Sequence, residues 1–350
     1  MFDADVTRKM IAQPDAEAMK KAQARWDSIA KPLGSLGLLE SAVVKIAGLT
    51  GTADVRIDRR GVIVMCADNG VVCEGVTQTG QEITALVAGN IAKGDASVCR
   101  MADIAGADVF PIDIGMASRA EDVIDLHIAD GTANIAAGPA MTREQASQAV
   151  SAGIELVRDL RTGGYSLLAT GEMGIGNTTT SSALASVLLR ADPEDMVGRG
   201  AGLSDEGLRR KVAAVKRAIS VNCPDPNDAL DALAKVGGLD IAGLAGVFIG
   251  GAVYRVPVLI DGFISAVAAL TAVRMCPECI CAILASHVSA EPATRAVLNE
   301  LGLQPLICAG MRLGEGTGAV CAMPLLDMAL AVYGEMSTFS GIGMEAYTPQ

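Results

Sequence analysis

One acidic residue between two glycines is the most unusual chemical feature of the sequence. Glu315 lies within Met311–Gly318 (MRLGEGTG), flanked by Gly314 and Gly316, shortly after an apolar run. A carboxylate in such a loop can stand free of neighbouring side chains and face a cleft, as a general base must. The ordinary alternative is a solvated glutamate at the start of a helix, and the spacing alone leaves both interpretations open.

A second glycine-rich segment, Gly171–Thr180 (GEMGIGNTTT), runs from a predicted strand into a predicted helix. Glycines let backbone N–H groups approach an anion, and the N-terminus of the helix adds a positive dipole, so this segment could bind phosphate. Asn177 and Thr178 can cap the helix, and a tight turn is the plainer alternative. The segment lacks the Lys-Ser/Thr pair of a P-loop and the third glycine of a dinucleotide fingerprint, which disfavours a dinucleotide-dependent oxidoreductase.

Three cysteines close together, Cys276, Cys279 and Cys281, could suggest a metal or redox site. The sequence has only two histidines and no second cysteine pair at zinc spacing, so we expect buried or neutral thiols there. Lys211 lies on a basic helical turn, Gly207–Lys211, where most lysines are simply solvated. Neither feature predicts an activity by itself.

The elements that must position these loops alternate regularly from residue 62 onward. The apolar runs predicted as strands are Val62–Ala67, Val109–Ile114, Tyr165–Thr170, Val256–Ile260, Cys281–Ala285 and Pro305–Cys308. The segments predicted as helices are Asp15–Ala30, Ile83–Met101, a stretch behind the capping-box sequence Thr142–Gln145, a stretch from about Thr178, Phe263–Val273, Glu291–Leu301 and a stretch after Gly318. This alternation predicts an α/β fold, a Rossmann-like parallel sheet with helices on both faces.

Ligands of such sheets bind at the carboxyl ends of the strands, in the loops that follow them. The loops after the predicted strands are Asp68–Gly70, Gly171–Thr179, Asp261–Gly262, Ser286–Ser289 and Gly310–Gly318. All are rich in Gly, Asp, Glu, Ser and Thr. We therefore expect them to converge on one rim.

The remaining segments suggest a division into two parts. The first 55 residues and the last 21 contain no obvious strand. We predict that residues 1–55 with 330–350 form a small helical lobe beside an α/β catalytic domain of residues 56–329.

Composition and charge exclude several classes of protein. Apolar residues make up 51% of the 350 residues and charged ones 19%, which excludes long disorder. The net charge of −12, from 28 basic and 40 acidic residues, argues against a surface for nucleic acid or anionic membranes. The longest uncharged stretch, Ile241–Tyr254, is shorter than the about 20 residues a membrane span needs. With no visible signal peptide, we expect a cytoplasmic protein with reduced cysteines.

Taken together, the loops resemble a known family over nearly the whole chain. The segments that carry the resemblance, in the expected order, are Lys31–Gly37 (KPLGSLG), Gly171–Thr179, Gly198–Gly202 (GRGAG), Val256–Phe263 (VPVLIDGF), Ser286–Glu291 (SHVSAE) and Met311–Gly318. The chain resembles the nicotinate-nucleotide:dimethylbenzimidazole phosphoribosyltransferases, which activate the lower ligand of cobamides.

The resemblance implies that nicotinate mononucleotide and an aromatic base give nicotinate and an α-linked ribotide, with inversion at C1′ and with no metal or other cofactor. Glu315 would be the general base, and Lys211 would supply a local cation. The other substrate-binding residues implied by the family motifs are Glu172, Gly174, Ile175, Gly176, Asn177, Thr178, Asp261, Ser289, Thr77, Gln81 and Leu313.

Two segments depart from the family pattern. Where the family usually has Gly-Asp-His-Gly-Val, this chain has Ala67–Val71 (ADNGV). Where the family has a Ser followed by Pro-Gln, this chain has Thr77–Gln81 (TQTGQ), which keeps a hydroxyl at Thr77 and the amide of Gln81. Because this segment lies beside the aromatic base in the family, we expect an altered base pocket. The base is then dimethylbenzimidazole or, as we hypothesise from the departures, another base such as a phenol or p-cresol.

The resemblance also implies a dimer, either a homodimer or a heterodimer with a related subunit. The alternative to an enzyme is a non-catalytic, nucleotide-binding partner subunit of a heterodimeric phosphoribosyltransferase. The presence of both Glu172 and Glu315 argues against that alternative, because a silent subunit has no chemical need for either.

Overall fold

Six parallel strands form the central sheet of the protein, whose computed structural model describes residues 1–347. The strands are β1 (Arg60–Ala67), β2 (Ala107–Gly115), β3 (Ile124–Asp125), β4 (Leu167–Met173), β5 (Val258–Ile260) and β6 (Ile283–Ala285). They lie in the order β3-β2-β1-β4-β5-β6, and every neighbouring pair is parallel. The predicted α/β fold is confirmed.

Helices cover both faces of this sheet. In chain order they are α1 (Ala4–Met10), α2 (Ala16–Ser28), α3 (Leu38–Thr50), α4 (Glu82–Ala92), α5 (Ser97–Ala105), α6 (Arg143–Thr162), α7 (Asn177–Leu189), α8 (Pro193–Met196), α9 (Asp205–Asn222), α10 (Ala229–Val236), α11 (Leu239–Val253), α12 (Phe263–Met275), α13 (Thr294–Glu300) and α14 (Thr317–Glu335). Short 3-10 turns occur at Gly70–Glu74, Pro277–Ala282 and Ser340–Ile342.

Alternate side chains of β1 enter two apolar cores, one on each face of the sheet. Ile63 and Met65 pack in a core with α6, α7, α11 and α12, whereas Val62 and Val64 pack in a core with α3, α5 and α14. All four side chains are fully buried. Because both faces are packed, the carboxyl ends of the strands are held in fixed positions.

The abundance of glycine has a packing reason in the pair α6 and α11. Gly153 of α6 faces Gly246 of α11, and a Cβ added at either position would overlap the backbone of the other helix. Residues Leu239–Ala252 of α11 are all buried. Small residues therefore let these two helices pack at backbone contact.

Two predicted elements are wrong. Pro305–Cys308 is not a strand, because only Ile307 pairs, in a single bridge with His287. Pro305 has no N–H to donate and Cys308 is exposed, so the pairing does not extend.

Ile83–Met101, predicted as one helix, forms the two helices α4 and α5. Gly94, at φ +78°, ends the first, because a left-handed residue terminates the helical hydrogen bonding.

The capping box at Thr142 is confirmed. The backbone N–H of Gln145 donates to Thr142 Oγ1 (3.1 Å), and the N–H of Thr142 donates to Gln145 Oε1 (2.9 Å). The two-residue strand β3 was missed, because Ile124 and Asp125 are exposed and carry no apolar pattern.

The end of α2 packs against the segment Tyr333–Phe339 at and after the end of α14. The rings of Trp26 and Tyr333 lie 5.0 Å apart, and the N–H of Phe339 donates to the carbonyl of Ser28 (3.0 Å). The division into a helical lobe of residues 1–55 with 330–350 stays a prediction, and residues 348–350 lie outside the described part of the chain.

Among residues 1–347, one helix, α14, is long and apolar enough by composition to cross a membrane. Half of it is buried within the protein, where it packs against α3, α5 and β4. Met323 and Leu326 are among its fully buried side chains. Its composition is therefore that of a core helix.

Candidate active site

A cavity of about 340 Å³ opens at the carboxyl ends of β4, β5 and β6. Its walls come from the loops that follow these strands, from the loop before α14 and from the segments 76–79 and 199–203. One loop predicted to lie at the rim, Asp68–Gly70, does not line the cavity. Asn69 lies beneath the cavity wall, where it accepts a hydrogen bond from Thr180 Oγ1 (3.1 Å), while the chain after β1 reaches the cavity further on, at Val76–Thr79.

The structure brings most of the predicted site residues together. Those that line the cavity are Thr77, Glu172, Gly174, Ile175, Gly176, Asn177, Thr178, Asp261, Ser289, Leu313 and Glu315. Two predicted residues do not line it. Lys211 lies behind Thr178, and Gln81 lies at the start of α4 outside the wall.

Glu315 is held in a strained loop. Its φ is +61°, between Gly314 at +89° and Gly316 at +94°, and a left-handed conformation is uncommon for a residue with a side chain. Its carboxylate is half-buried, and Oε2 accepts the backbone N–H of Val98 at 3.4 Å. Burial raises the pKa of Glu315 above its ordinary value, which makes it a stronger base than a surface glutamate.

Asp261 anchors that loop to the sheet. Its Oδ2 accepts the N–H of Gly316 (3.1 Å), and its Oδ1 accepts those of Gly318 (2.8 Å) and Ala319 (3.2 Å) at the start of α14. Burial raises the pKa of Asp261, and the neighbouring His287 works in the opposite direction. The carboxylate of Asp261 therefore fixes where Glu315 stands.

Close packing explains two glycines near Glu315, Gly171 at the end of β4 and Gly314 in the loop before α14. A Cβ at Gly171 of β4 would lie 2.5 Å from the carbonyl oxygen of Glu315, and a Cβ at Gly314 would lie 2.7 Å from Glu172 Oε1. Bare backbone at Gly171 and Gly314 thus lets the end of β4 and the loop before α14 touch. The carboxyls of Glu172 and Glu315 consequently face the same cavity.

Glu172 belongs to a buried acidic group. Asn177 Nδ2 donates both to Glu172 Oε2 and to Asp240 Oδ2, the latter at 3.0 Å. Burial first, and then the charge of Asp240, raises the pKa of Glu172 to about 8. Burial likewise raises the pKa of Asp240 to about 6. These carboxyls hold their protons far more tightly than surface acids do.

Lys211 places a positive charge behind another part of the cavity wall, called the cationic end here, and the carboxylate of Glu291 lies close to it. Lys211 is fully buried, and its Nζ donates to Thr178 Oγ1 (2.8 Å) and to the carbonyl of Gly198 (3.0 Å). Lys211 is therefore not one of the solvated lysines that are usual on a basic helical turn. Burial lowers the pKa of Lys211 to about 8. Thr178 belongs to the first turn of α7, whose N-terminus faces the cavity behind the left-handed Gly176 (φ +97°).

Several cavity residues were not predicted as site residues. Arg199, Arg312, Glu291 and His287 line the wall, and the N–H of Gly200 donates to Glu291 Oε1 at 3.0 Å. All four lie within the quoted family segments, so the signal was present in the sequence. What the sequence did not show is which side chains of those segments turn inward.

Within residues 1–347, no cluster of three or more His, Cys, Asp or Glu side chains is arranged to hold a metal ion. Cys276, Cys279 and Cys281 are free thiols. Burial raises the pKa of Cys276 to about 12 and raises that of Cys279 strongly, so both are poor nucleophiles.

The cavity has a carboxylate base in one wall and, in another, a helix N-terminus backed by a buried lysine. This arrangement suits a phosphorylated substrate that loses or gains a proton.

Comparisons with known proteins agree with this interpretation. A family model described as "Phosphoribosyltransferase" matches residues 11–343. The nicotinate-nucleotide–dimethylbenzimidazole phosphoribosyltransferases of Acetivibrio thermocellus and Ruminiclostridium cellulolyticum are 50% and 48% identical to this chain. The alignments cover 98% and 97% of this chain, and 99% and 97% of theirs.

The fold has the same relatives. The crystal structure of CobT from Thermus thermophilus superposes with a TM-score of 0.89 at 40% sequence identity, covering 94% of this chain and 99% of that one. The family match spans far more than half of the sequence, and the relatives match over nearly their full length. The resemblance inferred from the motifs is confirmed, and the chain belongs to the phosphoribosyltransferase family.

Proposed function

We propose that this enzyme transfers the 5-phosphoribosyl group of nicotinate mononucleotide to an aromatic lower-ligand base, giving nicotinate and an α-ribotide. The observation that carries the proposal is the carboxylate of Glu315, which a strained loop presents to the cavity opposite the Lys211 end. The relatives at up to 50% identity are named for nicotinate nucleotide and dimethylbenzimidazole, which supports nicotinate mononucleotide as the donor in this proposal.

In this reaction the base attacks C1′ from the face opposite nicotinate, so the configuration inverts. The bond from C1′ to the pyridinium nitrogen breaks, and its electron pair returns to the ring, which leaves as neutral-ring nicotinate. Glu315 accepts the proton that the nucleophile loses, and its raised pKa favours that transfer. No acid is needed for the leaving group, and no metal or cofactor takes part.

The phosphate of the mononucleotide binds at the cationic end. The loop Gly174–Gly176 and the N-terminus of α7 present backbone N–H groups to it. Thr178, whose hydroxyl accepts a hydrogen bond from Lys211, lies between the phosphate and the ammonium. Arg312 adds an exposed positive charge at the rim, and Arg199, which also lines the cavity, is paired with Asp205. The substrate is therefore oriented with its ribose between the two ends.

The base binds beside the segment 76–79. Thr77 Oγ1 donates to the carbonyl of Thr79 (2.8 Å), and the amide of Gln78 donates to the carbonyl of Gly202, which joins two walls of the cavity. We propose a base other than dimethylbenzimidazole, with a phenol as the candidate. A phenol has a pKa of about 10 by analogy with Tyr, so Glu315 would take its proton during attack rather than before it.

The assembly in this proposal is a cytoplasmic homodimer, or a heterodimer with a related subunit, acting on small molecules and not on nucleic acid or membranes. The competing proposal is a non-catalytic partner subunit. The carboxyls of Glu172 and Glu315, both turned into the cavity, favour the enzyme.

The test is turnover of nicotinate mononucleotide by the purified chain, with dimethylbenzimidazole, benzimidazole, adenine, phenol and p-cresol offered separately and products identified by mass. Glu315→Gln is the inactive variant, and Glu300→Gln, an exposed residue paired with Arg274, is its matched control. Product with the chain alone and none with Glu315→Gln supports the proposal. Reaction of dimethylbenzimidazole alone overturns the phenol assignment, and turnover that survives Glu315→Gln within a heterodimer supports the silent subunit.

A further inference from the structure

Asp240 is a fully buried carboxylate that lines no part of the cavity. Its Oδ1 accepts the backbone N–H of Ile241 (3.0 Å), and its Oδ2 accepts Asn177 Nδ2 (3.0 Å). A Cβ at Gly174 would lie 2.9 Å from Oδ2, and one at Gly238 would overlap Oδ1. The carboxylate is thus enclosed on both sides and cannot turn toward solvent.

The same nitrogen of Asn177 also donates to Glu172, so one amide joins two buried carboxyls. None of the ion pairs formed among residues 1–347 includes Glu172 or Asp240. The titratable groups that face this pair from the packed elements are Cys66 on β1, Asp68 after β1, Asp261 after β5 and Glu315 before α14.

Two ionised carboxylates in a dry environment without a cation repel each other strongly, so one of them keeps a proton. Asp240 is in the first turn of the 15-residue helix α11, where the helix dipole favours negative charge, and it accepts two N–H groups. Glu172 accepts only the amide of Asn177 in the described structure. The charge therefore resides on Asp240 and the proton on Glu172.

We propose that Asp240 is a positioning residue: its charge, held beside Glu172 by the Asn177 amide that both carboxyls share, keeps Glu172 in the cavity as a neutral carboxylic acid beside the base Glu315. Glu172 then donates a hydrogen bond to the substrate, while Glu315 accepts the proton of the nucleophile. This assignment of a donor rests on the proposed function, whereas the protonation of Glu172 does not. The pKa values of Glu172, about 8, and Asp240, about 6, agree with the assignment.

Infrared difference spectroscopy on the substrate-free enzyme tests the protonation directly. At pH 7 the native spectrum minus that of Glu172→Gln should contain the carbonyl stretch of a protonated carboxyl. Asp240→Asn should weaken that band, because removing the charge of Asp240 lowers the pKa of Glu172 more than any loss of the Asn177 hydrogen bond raises it. Asp240→Ser, which removes the charge without introducing a competing amide, should do the same.

The pH dependence of kcat/KM tests the link to turnover. Lys211 also has a pKa of about 8, so the profiles are measured in the Lys211→Met background, where kcat/KM should fall as the pH rises through the pKa of Glu172, about 8. Adding Asp240→Asn should move that alkaline limb about one pH unit lower. Asp113→Asn, a buried aspartate on β2 paired with His127 and Arg119, is the matched control and should leave the limb in place.

A missing carboxyl band in the native enzyme, or a band unchanged in both Asp240 variants, overturns the proposal. So does an Asp240→Asn profile that is lowered equally at every pH, because a merely structural residue would act in that way. If nicotinate mononucleotide is not a substrate at all, the proposed function fails while the infrared result still decides the protonation of Glu172.

Discussion

The two ends of the cavity carry opposite charges and stabilise them differently. At the cationic end, Lys211 is fully buried. Its ammonium donates to the hydroxyl of Thr178 on α7 and to the carbonyl of Gly198 on the loop before α9. At the acidic end, Glu172 and Glu315 are joined to the fold by few hydrogen bonds, and burial raises the pKa of both. The cationic end is therefore suited to binding an anion, and the acidic end to proton transfer.

Breaking the acidic end should have the largest effect. Glu315→Gln keeps the shape but removes the base, so we expect kcat/KM to fall by about 10²- to 10⁴-fold. The KM for nicotinate mononucleotide should change little, because the phosphate end is intact. Initial rates across substrate concentrations measure both, and a loss confined to KM would contradict a catalytic role.

Removing the charge of Lys211 at the cationic end should mainly weaken binding of the mononucleotide. Lys211→Met removes the buried positive charge behind Thr178, so we expect the KM for the mononucleotide to increase about tenfold, which corresponds to about 1.4 kcal/mol. Lys216→Met, an exposed residue of α9 paired with Glu194, is the control. A KM that responds equally to both variants would remove Lys211 from the phosphate site.

The same end should respond to pH in a defined direction. Burial lowers the pKa of Lys211 to about 8, so the ammonium loses its proton as the pH rises through that value. The KM for the mononucleotide should therefore increase above about pH 8. Lys211→Met should lack this dependence, and an identical pH response in that variant would contradict the assignment.

Weakening the contacts that anchor the loop of Glu315, while keeping Glu315 itself, should have an intermediate effect on turnover. Asp261→Asn leaves one oxygen for three backbone N–H groups, which should cost about 1–3 kcal/mol in the free energy of unfolding. Because the loop that carries Glu315 is released, kcat should fall while the KM for the mononucleotide changes less. Urea unfolding and initial rates separate the two effects, and an unchanged kcat would show that Asp261 only stabilises the fold.

The smallest effect is expected at Gln81. The resemblance places it beside the aromatic base, but it lies outside the cavity wall, whereas Gln78 lines that wall. Gln81→Ala should therefore change the KM for the base less than Gln78→Ala does. A larger effect from Gln81→Ala would mean that α4 moves toward the cavity when the base binds.

Sequence patterns predicted the sheet and most of the cavity because apolar strands and glycine-rich loops are local signals. The burial of Lys211 was not predictable in that way, since its partner Gly198 lies on a loop that precedes α9 and its partner Thr178 on α7. Asp240 was overlooked for a similar reason. Its position under Asn177 depends on how α11 packs against the sheet and its neighbouring helices, and no short spacing records it.

The errors in the elements have local causes. Gly94 interrupts a run that is apolar enough to be predicted as one helix, and Pro305 keeps an apolar run from pairing beyond the single bridge at Ile307. In both cases one backbone constraint outweighed the periodicity of the side chains.

The left-handed backbone of Glu315 has a consequence for protein engineering. A residue with a side chain in that conformation costs about 1 kcal/mol, and glycine would relieve it. A redesign that ranks substitutions by stability alone would favour glycine or asparagine at this position and would silence the enzyme while strengthening its fold. Thermostabilised variants of this protein should therefore be selected with position 315 held fixed.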